Sequence, residues 1–357
     1  MYIDSHVHLR DFNQKHKETI KHGLEVARDS GLDAVFDMPN TDPPTMTREI
    51  VLDRLRIAKE ADIPEVFYGL YMGLTANPEQ IKEAVRVFRE FPQVIGMKLY
   101  AGHSVGNLGV ITEEAQRIVY ETLAVEGYEG VLEVHCEEES LLKPYIWNPK
   151  VPITHCFARP ECSEIASVGN QLRISKEAGY KGKLDIAHIS SPKAVDLVIE
   201  AQAQGTDVSC EIAPHHYYFD YTSMIGKDGI QMKMNPPLRS EESRRKIFQY
   251  MDDGKISRIG TDHAPHDLKE KTGKVLDKDG NPIYMSGIIA LPHWPLNVEY
   301  LRFNGFTENQ IGKLTFYNTA ERFGLDIKRS KRKLKDRRAD YPFDPYQRMA
   351  EELNWKG

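Results

Sequence analysis

Residues 4–11 read DSHVHLRD, a strand-like stretch in which two histidines, His6 and His8, are separated by one residue. In a β-strand, residues i and i+2 point to the same face, so both imidazoles are directed at one point. Neutral imidazole is the commonest side-chain ligand for metals, and the spacing therefore favours a metal clamp. The structural alternative is a pair of hydrogen-bonded core histidines, and only the rest of the chain distinguishes the two.

Outward from this stretch, short apolar segments rich in β-branched residues alternate with longer amphipathic segments. This alternation is typical of βα units around a parallel sheet. The candidate strands cover residues 2–8, 34–38, 65–71, 94–99, 131–135, 183–188, 206–212 and 256–262. The candidate helices cover residues 17–30, 48–61, 78–90, 113–126, 162–178, 192–204 and 241–252. The order predicts an α/β fold, a TIM-like (β/α)8 barrel over residues 1–325, with residues 326–357 as a C-terminal extension that packs on the barrel or trails from it.

Metal-capable side chains fall where such a barrel builds its active site. In a (β/α)8 barrel, catalytic residues come from the carboxyl ends of the strands and the loops that follow them. Six metal-capable or basic residues lie at five predicted strand ends: His6, His8, Lys98, His135, His188 and Asp262. Scattered core histidines have no reason to collect at one face, so this placement favours a catalytic centre over the structural alternative.

Two members of this set suggest a specific chemistry. Two divalent ions a few ångströms apart can share a hydroxide and polarise a carbonyl, which requires a bridging ligand. Lys98 is a poor ligand as an ammonium, but a buried neutral amine can react with carbon dioxide to give a carbamate whose oxygens span two metals. Its alternative is an ion pair with a carboxylate or a substrate anion. Asp262 can bind one metal and transfer the proton as general acid and base, or it can simply cap a helix.

Composition narrows the class of partner. The chain has 357 residues, a formal net charge of -6 and an isoelectric point near 6.1. These values give no electrostatic case for nucleic acid or an anionic membrane, so a small-molecule substrate is expected. The four cysteines lack a paired CxxC spacing, which indicates reduced thiols. With no apolar run of membrane-spanning length and no signal-peptide pattern, we expect a cytoplasmic protein.

Eight motifs occur in a fixed order along the chain. They are HVHLRD at 6–11, DMPNTDPPT at 37–45, GMKLY at 96–100, EVHCEE at 133–138, DIAHISS at 185–191, CEIAPHH at 210–216, NPPLR at 235–239 and GTDHAPH at 260–266. With these motifs the chain resembles the amidohydrolase superfamily and, within it, the dihydroorotase family, from residue 2 to about residue 325.

The resemblance implies a binuclear site, usually zinc. One ion would be held by His6, His8 and Asp262, the other by His135 and His188, with carboxylated Lys98 as the bridge. It also implies that the substrate carboxylate is held by three side chains: Arg10, Asn40 and His266. A guanidinium fork and an amide suit a planar carboxylate, although Asn40 could also be an ordinary turn residue.

The activity that the resemblance implies is the reversible interconversion of dihydroorotate and N-carbamoyl-aspartate in pyrimidine biosynthesis. In hydrolysis, a metal-bridging hydroxide would attack the ring amide and Asp262 would move the proton to nitrogen. The resemblance leaves a homodimer and an association with aspartate transcarbamoylase open.

Three features depart from the pattern of the resembled family. Phe12 follows HLRD where relatives commonly have Pro or Gly, and this may reshape the loop beside Arg10. Residues 285–289 read MSGII in place of a Gly- and Glu-containing pattern, which puts backbone contacts to the pyrimidine ring in doubt. Many relatives carry a small β-domain built from both termini, whereas here we expect a barrel without a substantial N-terminal β-sandwich.

Two segments allow two interpretations each. Residues 269–286 form a predicted long loop that either covers the site or is a plain surface insertion. The basic run at 328–338 is either a solvated surface or a partner-binding patch. Six further histidines are predicted to be structural or to contact the site residues from outside: His103, His155, His215, His216, His263 and His293.

Three alternative functions stay open at this point. A hydantoinase or allantoinase would keep the metal ligands but needs no carboxylate clamp, so the pairing of Arg10 with Asn40 argues against it. A deaminase usually works with one metal and no bridging lysine, and Lys98 distinguishes it. A catalytically silent scaffold is the third alternative, and the presence of every predicted ligand argues against it.

Overall fold

The computed structural model describes residues 1–103, 108–226 and 228–355. Its strands are β1 Tyr2–Val7, β2 Leu32–Asp37, β3 Phe67–Gly73, β4 Val94–Ala101, β5 Val131–Cys136, β6 Lys183–Ile186, β7 Val208–Ile212 and β8 Arg258–Ile259. The strands are paired in sequence order, and every pair is parallel. The prediction of an α/β fold with a TIM-like (β/α)8 barrel is therefore confirmed.

Helices cover the outside of the barrel. They are α1 Ile20–Asp29, α2 Arg48–Glu60, α3 Pro78–Glu90, α4 Glu113–Val125, α5 Thr154–Ala158, α6 Glu161–Glu177, α7 Pro192–Ala203, α8 Pro214–Tyr218, α9 Glu241–Asp252, α10 Leu268–Lys271, α11 Trp294–Phe303, α12 Glu308–Gly312, α13 Asn318–Phe323 and α14 Gln347–Glu352. Several begin at a residue whose side chain accepts a backbone N–H of the first turn, as Thr19 does for α1 and Asn77 for α3. Pro78, which needs no hydrogen-bond partner for its nitrogen, occupies the first position of α3.

Two strands are shorter than their sequence predicts. The sixth and eighth were expected to run to His188 and Asp262, but they end at Ile186 and Ile259. His188 and Asp262 have φ angles of 33° and 49°, which are incompatible with a β-strand. The predicted boundary was wrong because two site residues leave the strand conformation as they turn toward the barrel axis.

The barrel closes between its first and last strands. His8 N donates to the carbonyl of His263 at 2.8 Å, and Val7 forms a parallel bridge with His263. The side chain of Asp4 accepts from both the backbone and the hydroxyl of Thr261, at 2.9 and 2.6 Å. This seam places the segment after β8 directly against the histidines of β1.

A charged layer fills the barrel interior. Arg258 is fully buried and pairs with Glu133 at 2.6 Å, Asp185 at 2.7 Å and Glu211 at 3.5 Å. Buried ions need such partners because desolvation of a lone charge is costly. The layer fixes carboxylates from β5, β6 and β7 around one guanidinium, and Glu211 extends from it to the site.

The region from α11 to α14 completes the outer shell. The structure describes residues 326–355 of the C-terminal segment. This segment contacts the barrel through two ion pairs, Arg332 with Asp33 at 2.7 Å and Arg337 with Asp29 at 2.9 Å. Tyr346 is fully buried in a second apolar cluster with α11 and α14 residues.

The four cysteines are free thiols. Within the described ranges, none of the helices has both the length and the apolar character needed to cross a bilayer.

Candidate active site

A cavity of about 370 Å³ opens at the carboxyl ends of the strands. It is lined by residues of three strands, β1, β4 and β5, and of the segments that follow the barrel strands: His6, His8, Arg10, Gln14, Asn40, Tyr100, His103, His135, His188, Lys233, Asn235, Asp262, Ala264, His266, Tyr284, Met285, Ser286 and Gly287. The structure thus brings eight of the nine predicted site residues to one cavity wall, and the ninth, Lys98, is buried in β4.

The first group of candidate ligands joins β1 to the segment after β8. His8 Nε2 lies 2.9 Å from Asp262 Oδ1, and His6 Nε2 lies 3.4 Å from the same oxygen. The ligand atoms of the three residues lie within 4.8 Å of one another, as a metal site requires. Burial alone would raise the pKa of Asp262, but the adjacent imidazoles of His8 and His6 hold that pKa well below its usual value.

Both histidines of this group are oriented by a partner on the opposite ring nitrogen. His6 Nδ1 bonds Glu211 Oε1 at 2.8 Å, and His8 Nδ1 bonds Asn40 Oδ1 at 2.7 Å. Metal-binding histidines commonly donate their second N–H to a carboxylate or carbonyl, which fixes the tautomer and leaves the other nitrogen free as a ligand. In each residue the free nitrogen is Nε2, the atom that faces Asp262.

The second group lies on β5 and just beyond β6. His135 Nδ1 and His188 Nε2 are 3.1 Å apart, so two ring nitrogens converge. His135 Nε2 bonds Glu137 at 3.0 Å, and Glu137 is held in turn by Arg159 Nε at 2.9 Å. Burial lowers the pKa of His188 well below its usual value, which keeps its ring neutral. The two groups are neighbours, because the rings of His6 and His188 are 5.2 Å apart between centroids.

Lys98 is fully buried, and its Nζ has no hydrogen-bond partner within the described parts of the chain. Burial lowers the pKa of the Lys98 amine, and the carboxylates of Glu133, Glu211 and Asp262 act in the opposite direction. A buried lysine without a bonded partner is costly, so its retention here calls for a function. β4 runs to Ala101, so Lys98 lies inside the strand rather than at its end, as the shorter prediction had placed it.

This donor set fits a pair of divalent cations. Four imidazoles and one carboxylate lie in one cavity wall, and the buried amine of Lys98 has no hydrogen-bond partner among the described residues. Imidazole nitrogen and carboxylate oxygen are ligands that zinc accepts. Glu211 was missed in the sequence; an acidic residue inside the apolar strand VSCEI was the available signal.

The residues of the predicted carboxylate clamp, Arg10, Asn40 and His266, line the same cavity. Arg10 Nη2 lies 3.1 Å from His266 Nε2, and Arg10 Nε has no partner among the residues that the structure describes. Asn40 uses its carbonyl oxygen on His8, which leaves its NH2 group for other acceptors. Arg10 has a φ of 52°, and Arg54 Nη1 donates to its carbonyl at 2.9 Å.

Phe12, the departure beside Arg10, does not line the cavity. Its ring packs 5.5 Å from the guanidinium carbon of Arg54, the same residue that holds the Arg10 carbonyl. Arg54 is fully buried and also pairs with Asp37. Phe12 therefore acts on the clamp through Arg54 rather than through the substrate space.

Several lining residues were missed by sequence reasoning. His103, which was not predicted as a site residue, lies at the cavity wall, and so do Tyr100, Lys233 and Asn235. The 284–287 segment, at the end of the predicted loop, also lines the cavity, whereas residues 277–281 of the same loop are exposed. Lys233 and Asn235 belong to or adjoin the NPPLR motif, which was the signal that could have placed them.

Comparisons with known proteins agree with this geometry. The chain is 31% identical over 276 residues to "Dihydroorotase" of Pediococcus pentosaceus, a match that covers 76% of this chain and 62% of that protein. The chain thus spans about three fifths of the length of the curated relatives it matches first. No protein-family model matches the chain.

Solved structures share the fold. L-hydantoinase (dihydropyrimidinase) from Arthrobacter aurescens superposes with a TM-score of 0.79 at 24% identity, covering 94% of this chain and 74% of that one. A dihydroorotase from Campylobacter jejuni superposes with a TM-score of 0.67 at 19% identity, covering 92% and 84%. With relatives 31% identical over 76% of its length, the chain belongs to the dihydroorotase family.

Proposed function

We propose that the protein is a dihydroorotase, a metal-dependent cyclic amide hydrolase that interconverts dihydroorotate and N-carbamoyl-aspartate in pyrimidine biosynthesis. The observation that carries the proposal is the pairing of Arg10 with His266 in the same cavity as the His6, His8 and Asp262 group. An arginine with an unpartnered N–H suits a substrate that carries a carboxylate beside its reacting ring.

We assign the metal ligands as the sequence predicts them. His6, His8 and Asp262 would hold one cation and His135 and His188 the other, with Lys98 as a carboxylated bridge and zinc as the expected metal. When bound, the cations supply an activated water and polarise the ring carbonyl. The four imidazoles fit this role because Glu211, Asn40 and Glu137 orient three of them from outside.

Asp262 has the geometry for proton transfer. Its carboxylate lies in the cavity wall, and its low pKa keeps it ionised at neutral pH. In hydrolysis it would accept a proton from the attacking water and return it to the leaving ring nitrogen. Arg10, Asn40 and His266 would hold the substrate carboxylate and so present the ring amide to the reacting centre.

A substrate panel distinguishes this proposal from a hydantoinase or allantoinase, which share the fold. Metal-loaded protein supplied with bicarbonate is expected to turn over dihydroorotate in preference to hydantoin, dihydrouracil and allantoin, because only dihydroorotate carries the carboxylate that Arg10 recognises. A preference for a ring without the carboxylate would move the protein to the other hydrolases. Absence of turnover on every ring, with metal bound, would support the silent scaffold.

Replacement of Lys98 tests the bridge. Lys98→Ala is expected to lose bound metal and activity together, because Lys98 is the residue assigned to bridge the two ligand groups. Metal content by elemental analysis and dihydroorotate turnover are the two measurements. Lys271→Met, which removes another fully buried lysine amine, is the control and is expected to keep its metal. Unchanged turnover in Lys98→Ala would contradict the bridging role.

The cellular location, the domain bounds and the assembly of the protein are part of the same proposal. We propose a cytoplasmic enzyme acting on a small molecule, with residues 326–357 as an extension of a barrel formed by residues 1–325. A homodimer and an association with aspartate transcarbamoylase are two assemblies that sedimentation of the protein, alone and mixed with the transcarbamoylase, would test.

A further inference from the structure

His266 lies between two basic side chains in the cavity wall. Lys17 Nζ is 3.3 Å from its Nδ1, and Arg10 Nη2 is 3.1 Å from its Nε2. The side chains of Lys17 and His266 are only 6% and 2% exposed. Burial, and next the charge of Arg10, hold the pKa of His266 well below its usual value, so its ring is neutral. A neutral imidazole has one N–H and one lone pair, and its neighbours decide which nitrogen carries which.

We propose that Lys17 is a positioning residue that sets the tautomer of His266, so that an Nε2–H donor faces the carboxylate of the substrate. A lysine ammonium has three donors and no acceptor. Arg10 is likewise only a donor, and the single lone pair of a neutral ring can accept from one of the two. The acceptors decide between them: Nε2 lies 3.1 Å from the carbonyl oxygen of Ser286, whereas Nδ1 has only Glu270 Oε2 at 3.5 Å, so the ring proton lies on Nε2 and the lone pair on Nδ1 faces Lys17. This inference rests on the proposed function for its substrate, but the tautomer itself does not depend on that function.

Glu270 is the group that could select the opposite tautomer. Its Oε2 lies 3.5 Å from His266 Nδ1, at the outer limit of a hydrogen bond, and makes no hydrogen bond within the described chain. Its Oε1 lies 3.2 Å from Lys17 Nζ. Burial and the charge of Arg10 lower the pKa of Lys17, whereas Glu270 opposes that shift. Glu270 thus favours a charged Lys17 beside Nδ1 instead of taking the ring proton itself.

The Nε2–H tautomer leaves the clamp open for an anion. Nε2–H can donate to the carbonyl oxygen of Ser286 at 3.1 Å, but it cannot accept from Arg10, which has only donors. Arg10 then presents an Nη2 donor without an acceptor, next to its unpartnered Nε. A carboxylate would satisfy these donors together. In the other tautomer, the lone pair on Nε2 would accept from Arg10, so the carboxylate would lose that Arg10 donor and the ring would offer it no Nε2–H.

The tautomer can be read directly. In zinc-loaded protein labelled with ¹⁵N-histidine, long-range ¹H–¹⁵N spectra report which ring nitrogen is protonated, and His266→Gln assigns the signal. We expect Nε2–H in the wild type and in Lys17→Arg, which keeps a donor-only cation. We expect Nδ1–H in Lys17→Met, because Glu270 then becomes the only partner of Nδ1. Lys15→Met, which removes an exposed lysine from the same segment, should match the wild type. Nδ1–H in the wild type, or Nε2–H in Lys17→Met, would overturn the proposal.

Kinetics supply the second measurement. Lys17→Met is expected to raise the KM for dihydroorotate about tenfold, the effect of one misdirected charge-assisted hydrogen bond, with a smaller change in kcat. The KM for dihydrouracil, which has no carboxylate, should not change, and Lys17→Arg should restore the KM for dihydroorotate. Equal shifts for both substrates would contradict the role. If the protein turns over neither substrate, the proposed function fails while the spectra still decide the tautomer.

Discussion

At the level of single residues, Glu211 links the buried charged layer of the barrel to the candidate metal ligands. It accepts from His6 Nδ1 at 2.8 Å and also pairs with Arg258 at 3.5 Å. Glu211→Gln is expected to weaken metal binding about 10- to 100-fold, because the imidazole loses the charged partner that orients it. A chelator competition titration measures this affinity. Asp185→Asn is the matched control, since Asp185 pairs with Arg258 at 2.7 Å without contacting a candidate ligand. Equal losses in both variants would assign the effect to the charged layer as a whole.

The candidate ligands could be predicted from the sequence, whereas the groups that orient them could not. His6 and His8 were visible because a strand repeats every two residues, and strand order then collected His135, His188 and Asp262. The partners Glu211 and Arg54 act across 205 and 44 residues of sequence, on His6 Nδ1 and on the Arg10 carbonyl. Such contacts depend on the register between distant strands, which local periodicity does not contain.

At the level of elements, the segment from α10 to Gly287 is attached to the barrel through two buried lysines. Lys233 Nζ donates to the carbonyl of Tyr284 at 2.8 Å and to Ser286 Oγ at 2.6 Å, and Lys271 Nζ donates to the carbonyls of Lys233 and Gly287. The sequence predicted a long loop here but left open whether it covers the site. Only the part bound by the lysines lines the cavity, and the bonds to Lys233 span 51 and 53 residues.

Lys233 should make the stability of this arrangement depend on pH. Burial, and next the charge of Arg159, lower the pKa of Lys233 from 10.5 to about 7. Between about pH 7 and pH 10 the unfolded chain therefore holds a proton that the folded protein has released, so the free energy of unfolding rises with pH through this window. Below pH 7 both states are protonated and the contribution is constant. Urea unfolding of wild type and Lys233→Met at several pH values should show a steeper rise in the wild type, because the buried Lys271, whose pKa burial also lowers well below its usual value, contributes to both proteins. Lys278→Met, at an exposed position of the same segment, should behave as the wild type, and a rise as steep in Lys233→Met as in the wild type would refute the assignment.

At the level of the whole molecule, periodicity predicted the barrel but not the helices that follow it. All eight strands were located because they are short, β-branched and separated by amphipathic helices. The helix α11 was missed because six of its ten residues are buried, so it has no clear polar face from which to read a helical repeat. The C-terminal segment was uncertain for a related reason, since its basic run gives no sign of what it contacts.

Burial of this segment predicts that it belongs to the same cooperative unit as the barrel. Tyr346 is fully buried against α8 and α11 residues, and Tyr341 OH lies 3.3 Å from Glu18 and 3.4 Å from His263, the neighbour of Asp262. Tyr346→Ala is therefore expected to lower the free energy of unfolding of the whole chain by about 3–5 kcal/mol, the usual cost of deleting a buried aromatic ring. Urea denaturation followed by far-UV circular dichroism measures this. Tyr145→Ala, at a residue 82% exposed, should have little effect. If the segment were a trailing tail, both variants would unfold at the wild-type midpoint, whereas a single transition shifted only in Tyr346→Ala would show that barrel and segment unfold together.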